Sequence, residues 1–347
     1  MNPKLVLGLG ILALIMLTLA LMIGRELAGP EDQRDEPLVP ELREQVNDIK
    51  AIDIVGPDGE TVATLRRERE RWRVQEKSGF EANFRLIHDL LRDLAEARRR
   101  DERTSNPEWY ARLGVADPGV EGSEGMLVRF PDTDLPEVII GVADQAGIGR
   151  FARLRGEERS WLIDRAPDVA DSTLGWLESA IMDIPPGDLA EVTIRHPDGD
   201  LVRLRPADED GDQWVLLGVP EGREAVTSWE IRPVASALAA LSMRDVRPND
   251  EMPDDAVRAL FQTRDGLIFL ATLFEDDEGR WVNFSVSADA GAVAEDESDD
   301  EAMELEIDAA AVDARLSPWQ FALPDYRFDE MTSRLEDLLV EVEVEDG

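Results

Sequence analysis

IDIVGPDGETV, residues 52–62, and VTIRHPDGDLV, residues 192–202, are two versions of one pattern. Ile54, Pro57, Asp58, Gly59 and Val62 recur 140 residues later as Ile194, Pro197, Asp198, Gly199 and Val202. In each, alternating apolar residues run into Pro-Asp-Gly and out again, which is the pattern of a β-hairpin. Two such hairpins predict two related units, so the rest of the chain is read as two halves.

The correspondence continues outward from the hairpins. Trp72 in ERWRV and Trp214 in DQWVL each sit on an expected third strand. Phe84, Ile87, Leu91 and Leu94 then recur at three- and four-residue spacings, one face of a helix. Ile231, Val234, Leu238 and Leu241 do the same in the second half, with Pro233 expected in the first helical turn. ARRRDE (97–102) and MRDVRP (243–248) follow as basic strands. Antiparallel strands are expected at 126–130, 137–141, 149–154 and 160–164, and again at 259–263, 267–274 and 280–287. A short helix is expected over 173–182. Residues 289–302 contain EDESDDE and read as a solvated acidic loop. Phe328, Met331, Leu335, Leu338 and Leu339 share one face of a closing helix, and Val340, Val342 and Val344 alternate with glutamates as a short terminal strand.

The front of the chain differs from all of this. Residues 5–23, LVLGLGILALIMLTLALMI, form one uninterrupted apolar run. At helical rise the run covers roughly 28 Å, about one bilayer core. It is longer than a signal-peptide core and ends in Gly24, Arg25, Glu26 and Leu27 without a small-residue cleavage pattern. The reading is an uncleaved anchor, with Lys4 and the amino terminus kept in the cytoplasm and the bulk placed in the periplasm. Residues 25–46 are charged and carry Pro30, Pro37 and Pro40, which predicts a semi-extended stalk. The expected fold is α+β, with one amino-terminal transmembrane helix and two tandem, repeat-related units of antiparallel sheet with packed helices. The expected boundaries are anchor 1–24, stalk 25–46, first unit 47–184 and second unit 185–347, with the acidic loop at 289–302.

Charge narrows the partners. A net charge of −39 over 347 residues argues against nucleic acid, whose phosphates need clustered Lys and Arg. Only three lysines, Lys4, Lys50 and Lys77, stand against thirty-four arginines. Acidic, lysine-poor surfaces suit high salt, where screening removes self-repulsion. There are no cysteines, so disulfides and thiolate chemistry are excluded.

The sequence displays no catalytic constellation. His88 lies on the first amphipathic helix, with Asp89 expected to point elsewhere, and His196 flanks the second Pro-Asp-Gly turn as an expected surface residue. DEDGD (208–212) has its glycine misplaced for a calcium loop and reads as a hairpin turn. Gly147-Ile148-Gly149 lacks the remaining glycines of a dinucleotide loop. Catalytic, cofactor-binding and metal-binding residues are therefore expected to be none. The eight tryptophans are expected to pack in cores, with an aromatic ligand platform as the alternative.

Together these features resemble a known family, the domain-of-unknown-function family 4340, bacterial proteins with one amino-terminal anchor. The resemblance rests on the anchor, the hairpin leading to Trp72, and WYARLGVADP at 109–118. EVIIG at 137–141, FARL at 151–154, WLID at 161–164 and SPWQFALPDYRFDEMTSRLEDLL at 317–339 extend it. Phe151 stands where tyrosine is expected, and EDESDDE reads as an insertion. The resemblance implies a companion of ABC-type export systems of the gliding-motility auxiliary kind, and it implies no catalytic residues.

The leading functional expectation is thus a non-enzymatic, inner-membrane-anchored periplasmic accessory protein. Its partner would be an inner-membrane complex, such as an ABC transporter permease or auxiliary subunit. The alternative is a glycan- or peptide-binding module using tryptophan and carboxylate side chains; a carboxylate-dependent hydrolase stands third. The charge pattern yields one direct test. Thermal unfolding is expected at a lower midpoint in dilute buffer than in molar salt, and equal midpoints would remove the salt-adaptation reading.

Overall fold

Both Pro-Asp-Gly stretches fold into the same turn. In the computed structural model, Gly59 and Gly199 take left-handed backbone at φ 88° and 93°, which glycine adopts without steric cost. The Gly56 amide donates to the Glu60 carbonyl and the Gly59 amide to the Gly56 carbonyl, while the Asp58 carboxylate accepts from the Glu60 amide. His196, Asp200, Gly199 and Asp198 repeat these three bonds. The structure describes residues 33–147, 149–208, 210–289 and 299–340, with backbone alone for 299–307. The apolar run 5–23, residues 295–298 of the acidic stretch, and the terminal strand expected at Val342 and Val344 lie outside these. Among the described residues, no helix is long and apolar enough to cross a membrane.

The chain opens with α1 (Leu42–Gln45), then β1 (Ala51–Val55), β2 (Thr61–Glu68), β3 (Arg71–Val74) and β4 (Phe80–Glu81). Next come α2 (Phe84–Glu96), β5 (Arg99–Glu102), α3 (Tyr110–Leu113), β6 (Met126–Arg129) and β7 (Val138–Ala143). They are followed by β8 (Arg150–Leu154), β9 (Ser160–Ile163), β10 (Ala180–Met182), β11 (Leu189–Arg195), β12 (Leu201–Pro206) and β13 (Trp214–Leu216). After α4 (Ser228–Ala235) lie β14 (Leu241–Ser242), β15 (Asp245–Pro248), β16 (Val257–Thr263), β17 (Leu267–Asp276) and β18 (Gly279–Ala288). The last elements are α5 (Asp299–Leu316), β19 (Trp319–Ala322) and α6 (Asp325–Met331).

The fold is α+β, built mainly on antiparallel sheet. The first sheet runs β4-β3-β2-β1-β6-β7-β8-β9-β5 and the second β13-β12-β11-β16-β17-β18-β19-β15. Apart from the short β4, the two orders match strand for strand. By packing, the chain divides within β2: residues up to Val62 and Leu86–Val169 form one unit, and Ala63–Arg85 with the chain from Ala170 form the other. The ribbon Ala63–Arg85 therefore belongs to the second unit, although the sequence pattern groups it with the first half.

In the first unit, the expected stalk is corrected over its described part. Leu38, Val39 and Leu42 are fully buried. The Leu38 amide donates to the Ala97 carbonyl, and the Arg99 amide donates to Glu36. The reason is the sheet edge: β5 is the outermost strand, and residues 35–38 supply partners to backbone that would otherwise stay unpaired. Charge and proline content concealed three well-placed aliphatic side chains.

WYARLGV covers one face of the first sheet. Tyr110, Val115 and Ala116 pack with Val55, Leu127, Ile139, Phe151 and Leu162. Gly114, at φ 64°, ends α3 and turns the chain down onto the sheet. Arg153 lies beneath it, 3 % exposed. Its Nε donates to the Val115 carbonyl at 2.8 Å, its Nη1 to the Glu157 carbonyl at 2.9 Å, and its guanidinium stacks 4.6 Å from the Tyr110 ring. The approach is close enough that a Cβ on Gly141 would stand 2.2 Å from the Leu113 carbonyl oxygen.

The second unit corrects several helical expectations. A capping box between Thr227 and Glu230 starts α4 at Ser228, so Pro233 falls inside the helix rather than in its first turn. The helix ends at Ala235; Leu238 and Leu241 are still buried, but Leu238 follows it in turns and Leu241 lies on β14. In the first helix, Phe84 is 60 % exposed, and Ile87, Leu90, Leu91 and Leu94 form the buried face. The helix expected over 173–182 is a 3-10 turn (Thr173–Trp176) followed by β10, which pairs with β14. The acidic loop is corrected at its far end, because α5 begins at Asp299. EAMELEIDAAAVDARL is rich in strong helix formers. The closing helix breaks at Met331, where the Thr332 and Ser333 hydroxyls bond back to Phe328 and Asp329 carbonyls. Leu338 is buried in a separate 3-10 turn.

Gly141→Ala is expected to lower stability by about 1–3 kcal/mol through the clash with Leu113, read as a reduced denaturation midpoint. A loss below about 0.5 kcal/mol, the scatter of ordinary surface changes, would mean that α3 is not held against β7.

Candidate functional site

The residues singled out by sequence do not converge. His88 is exposed, and the Asp89 carboxylate turns toward it, 3.5 Å from Nδ1, instead of away. His196 is buried rather than on the surface. The cause is the chain at 333–335, which lies over the second turn. His196 Nε2 sits 3.3 Å from the Ser333 carbonyl, the Arg334 guanidinium pairs with Asp198 at 2.7 Å, and the Leu335 amide donates to Asp200. The Asp200 amide, then Arg334, hold Asp198 below its ordinary carboxylate value. Asp208, Asp210 and Asp212 of DEDGD lie between β12 and β13, with Asp208 accepting from the Asp212 and Gln213 amides. Trp72, Trp161, Trp176, Trp214 and Trp281 are buried, whereas Trp109 and Trp229 are 45 % and 78 % exposed. Trp319 is half-buried and lines a cleft.

That cleft, about 260 Å³, lies within the second unit. It begins with a reversal of the chain after β3: Gln75–Lys77 form a 3-10 turn, and Ser78 and Gly79 take left-handed backbone at φ 54° and 77°. Phe80 is thereby set opposite Val74 and meets Trp319 edge-on at 5.0 Å and Phe321 at 6.1 Å. Lys77 Nζ pairs with Asp245 at 2.6 Å, and the Glu178 amide donates to the Glu81 carbonyl, so the ribbon is held at both ends. Phe80, Ile181, Leu316 and Phe321 form the apolar floor. Arg71, Arg73, Glu81, Glu178 and Arg315 form a rim of mixed charge. Arg315 donates to the Ile181 carbonyl at 2.7 Å. The volume falls just below the usual range of roughly 300–1,000 Å³ for small-molecule pockets, and suits a side chain or one planar group.

A second cleft borders Arg247 and Asp276, but its cation is already engaged. Arg247 bonds Asp276, Glu278 and Gln320 at 2.6–2.7 Å and lies 3.9 Å over the Trp281 ring. Partial burial pushes the Asp276 carboxyl up. Hydrogen bonds from Arg247, the Glu278 amide and Trp281 outweigh that and hold it below its ordinary value. This is a brace for the β17–β18 turn.

The two sheets differ on one face. Val55, just before the first turn, is paired with Leu127, and both are buried under Tyr110 and Val115. Arg195 occupies the same place before the second turn and is paired with Arg258; both are exposed. Only residues 249–256 link β15 to β16, and they contain no counterpart of α3. Leu201, paired with Arg195, and Val215, paired with Arg205, are 37 % and 42 % exposed on that face.

A family profile matches residues 72–259, from β3 to β16, under the description domain of unknown function, DUF4340. The chain belongs to this family. The range matched to DUF4340 takes in WYARLGVADP, EVIIG, FARL and WLID, which supply Tyr110, Val115, Ile139, Phe151 and Leu162 to the packing that covers the first sheet. Comparison with curated proteins and with solved structures finds no match.

Sequence reasoning missed Phe80, Arg71, Arg73 and Arg315. Only the turn chemistry of Ser78-Gly79 signalled that the chain doubles back after Trp72; the partner β19 lies some 240 residues further on. Phe80→Ala is expected to cost about 3–5 kcal/mol, the range for truncating a buried aromatic, and a near-neutral result would detach the ribbon from β19. Asp276 also gives the stability a pH dependence. Its contribution is complete above the ordinary carboxylate range, near pH 4, and is lost as pH falls through its lowered value. Asp276→Asn should therefore flatten the loss of stability on acidification, and an unaltered acid slope would refute the brace.

Proposed function

We propose that this DUF4340 chain is a membrane-anchored periplasmic accessory protein that works by holding a partner in an inner-membrane complex of the ABC export kind. One observation carries the reading: the second sheet lacks a counterpart of WYARLGV and leaves open the β12–β11–β16 part of that face, with Leu201, Arg195 and Arg258 exposed, while residues 249–252 cover Gln320 at its β19 end. A folded unit that already owns a device for covering such a face, and omits it once, is equipped to be covered by something else. The apolar run at 5–23 would keep that face near membrane partners. The matching strand orders, together with the shared turn, support reading the two halves as copies of one unit that diverged at this face.

A second reading is favoured by the Phe80–Trp319 cleft, whose aromatic floor and mixed-charge rim suit a glycan or peptide group. The accessory reading is tested by purifying the full chain in mild detergent and identifying bound proteins by mass spectrometry. A permease or other envelope subunit is expected at constant ratio. Repeated recovery of the chain alone, alongside saturable quenching of tryptophan fluorescence by an oligosaccharide, would favour the second reading.

A further inference from the structure

The open face carries charges that the fold does not use. Arg195 and Arg258 stand directly opposite each other on β11 and β16, where side chains lie about 5 Å apart and like charges destabilise the sheet. Arg203, opposite Thr193 on β12, lies diagonally beside Arg195 on the same face. All three are exposed, and among the described residues none has a salt bridge. The neighbouring Arg205 does find a carboxylate, bonding Glu191 at 2.6–2.7 Å. In a chain with 76 acidic residues against 37 basic ones, three clustered cations without acidic partners are contrary to what local folding favours.

We infer that this patch is the recognition site for an acidic protein surface, and that its arginines pair with carboxylates of the bound partner. The inference rests on the accessory reading above and names the partner's chemistry. Arginine forms bidentate pairs with carboxylates and tolerates burial better than lysine. Leu201, opposite Arg195, and the half-buried Leu260 and Leu270 border the cations with aliphatic surface. That mixture fits a polypeptide face carrying both carboxylates and apolar side chains, whereas a phosphate polyanion would leave the aliphatic rows unused.

The test uses the full chain in nanodiscs of zwitterionic lipid and a fluorescent amphipathic helix of leucine and glutamate, followed by anisotropy. A leucine–lysine helix is the control. The expected result is salt-sensitive binding of the glutamate peptide alone, weakened at least tenfold by Arg258→Glu. That substitution places a carboxylate opposite Arg195, so the unfolding midpoint should hold or rise. Should it fall instead, Arg258→Ser is measured in its place. Undiminished binding by the variant, equal binding of the lysine peptide, or full displacement by millimolar inorganic phosphate or by anionic vesicles would overturn the inference. So would self-association of the wild type that Arg258→Glu abolishes, which would assign the face to a second copy. In the detergent purification, partners recovered equally with wild type and Arg258→Glu would refute this patch and leave the accessory role standing. Loss of partners only in the variant supports both.

Discussion

An antiparallel sheet has two faces, and each must be covered or left fit for water. Most of this structure follows from how the chain meets that constraint twice. In the second unit the inner face is filled by Val192, Ile194, Val202, Leu204, Ala259 and Phe261, with Ile231 and Val234 from α4 among the other buried side chains. In the first, the opposite face is closed by the WYARLGV segment, which needs Gly114 to turn and Gly141 to let the Leu113 carbonyl approach. Arg153 fits under this cover because its guanidinium finds carbonyls and the Tyr110 ring rather than water.

Edges impose the same requirement in another direction. Residues 35–38 pair with the backbone beside β5, and α5 lies along β18 beyond the point where β19 stops pairing. There the Asp313 carboxylate accepts the Val286 amide at 2.8 Å. A segment rich in charge was thus recruited to the first edge, and one rich in helix formers to the second. The ribbon from β3 to β4 meets a third need, inserting Phe80 between β19 aromatics. The cleft is what remains beside it.

Much of the strand pattern is legible in the amino-acid sequence, and the reasons are local. Alternation and Pro-Asp-Gly chemistry act within ten residues, so β1, β2, β11 and β12 lie where the pattern puts them, and α2 keeps Ile87, Leu91 and Leu94 inward. Helical readings that depend on spacing alone fail at 173–182 and after Met331. In the first case β10 finds a partner in β14; in the second, hydroxyl groups bond back to the helix carbonyls. Proline content misleads over 33–46, since composition counts charges and does not locate three buried aliphatics.

By itself the sequence determined two hairpins, their flanking strands, an acidic chain without thiol chemistry, and membership of its family. Tertiary structure alone decided which faces are covered. Arg195 and Arg258 are 63 residues apart, and Phe80 and Trp319 are 239 apart. Strand pairing makes neighbours of the first pair, and packing of the ribbon onto β19 makes neighbours of the second. No local signal reports such pairs, because the free energy that joins them comes from burying surfaces that meet only after the chain has folded.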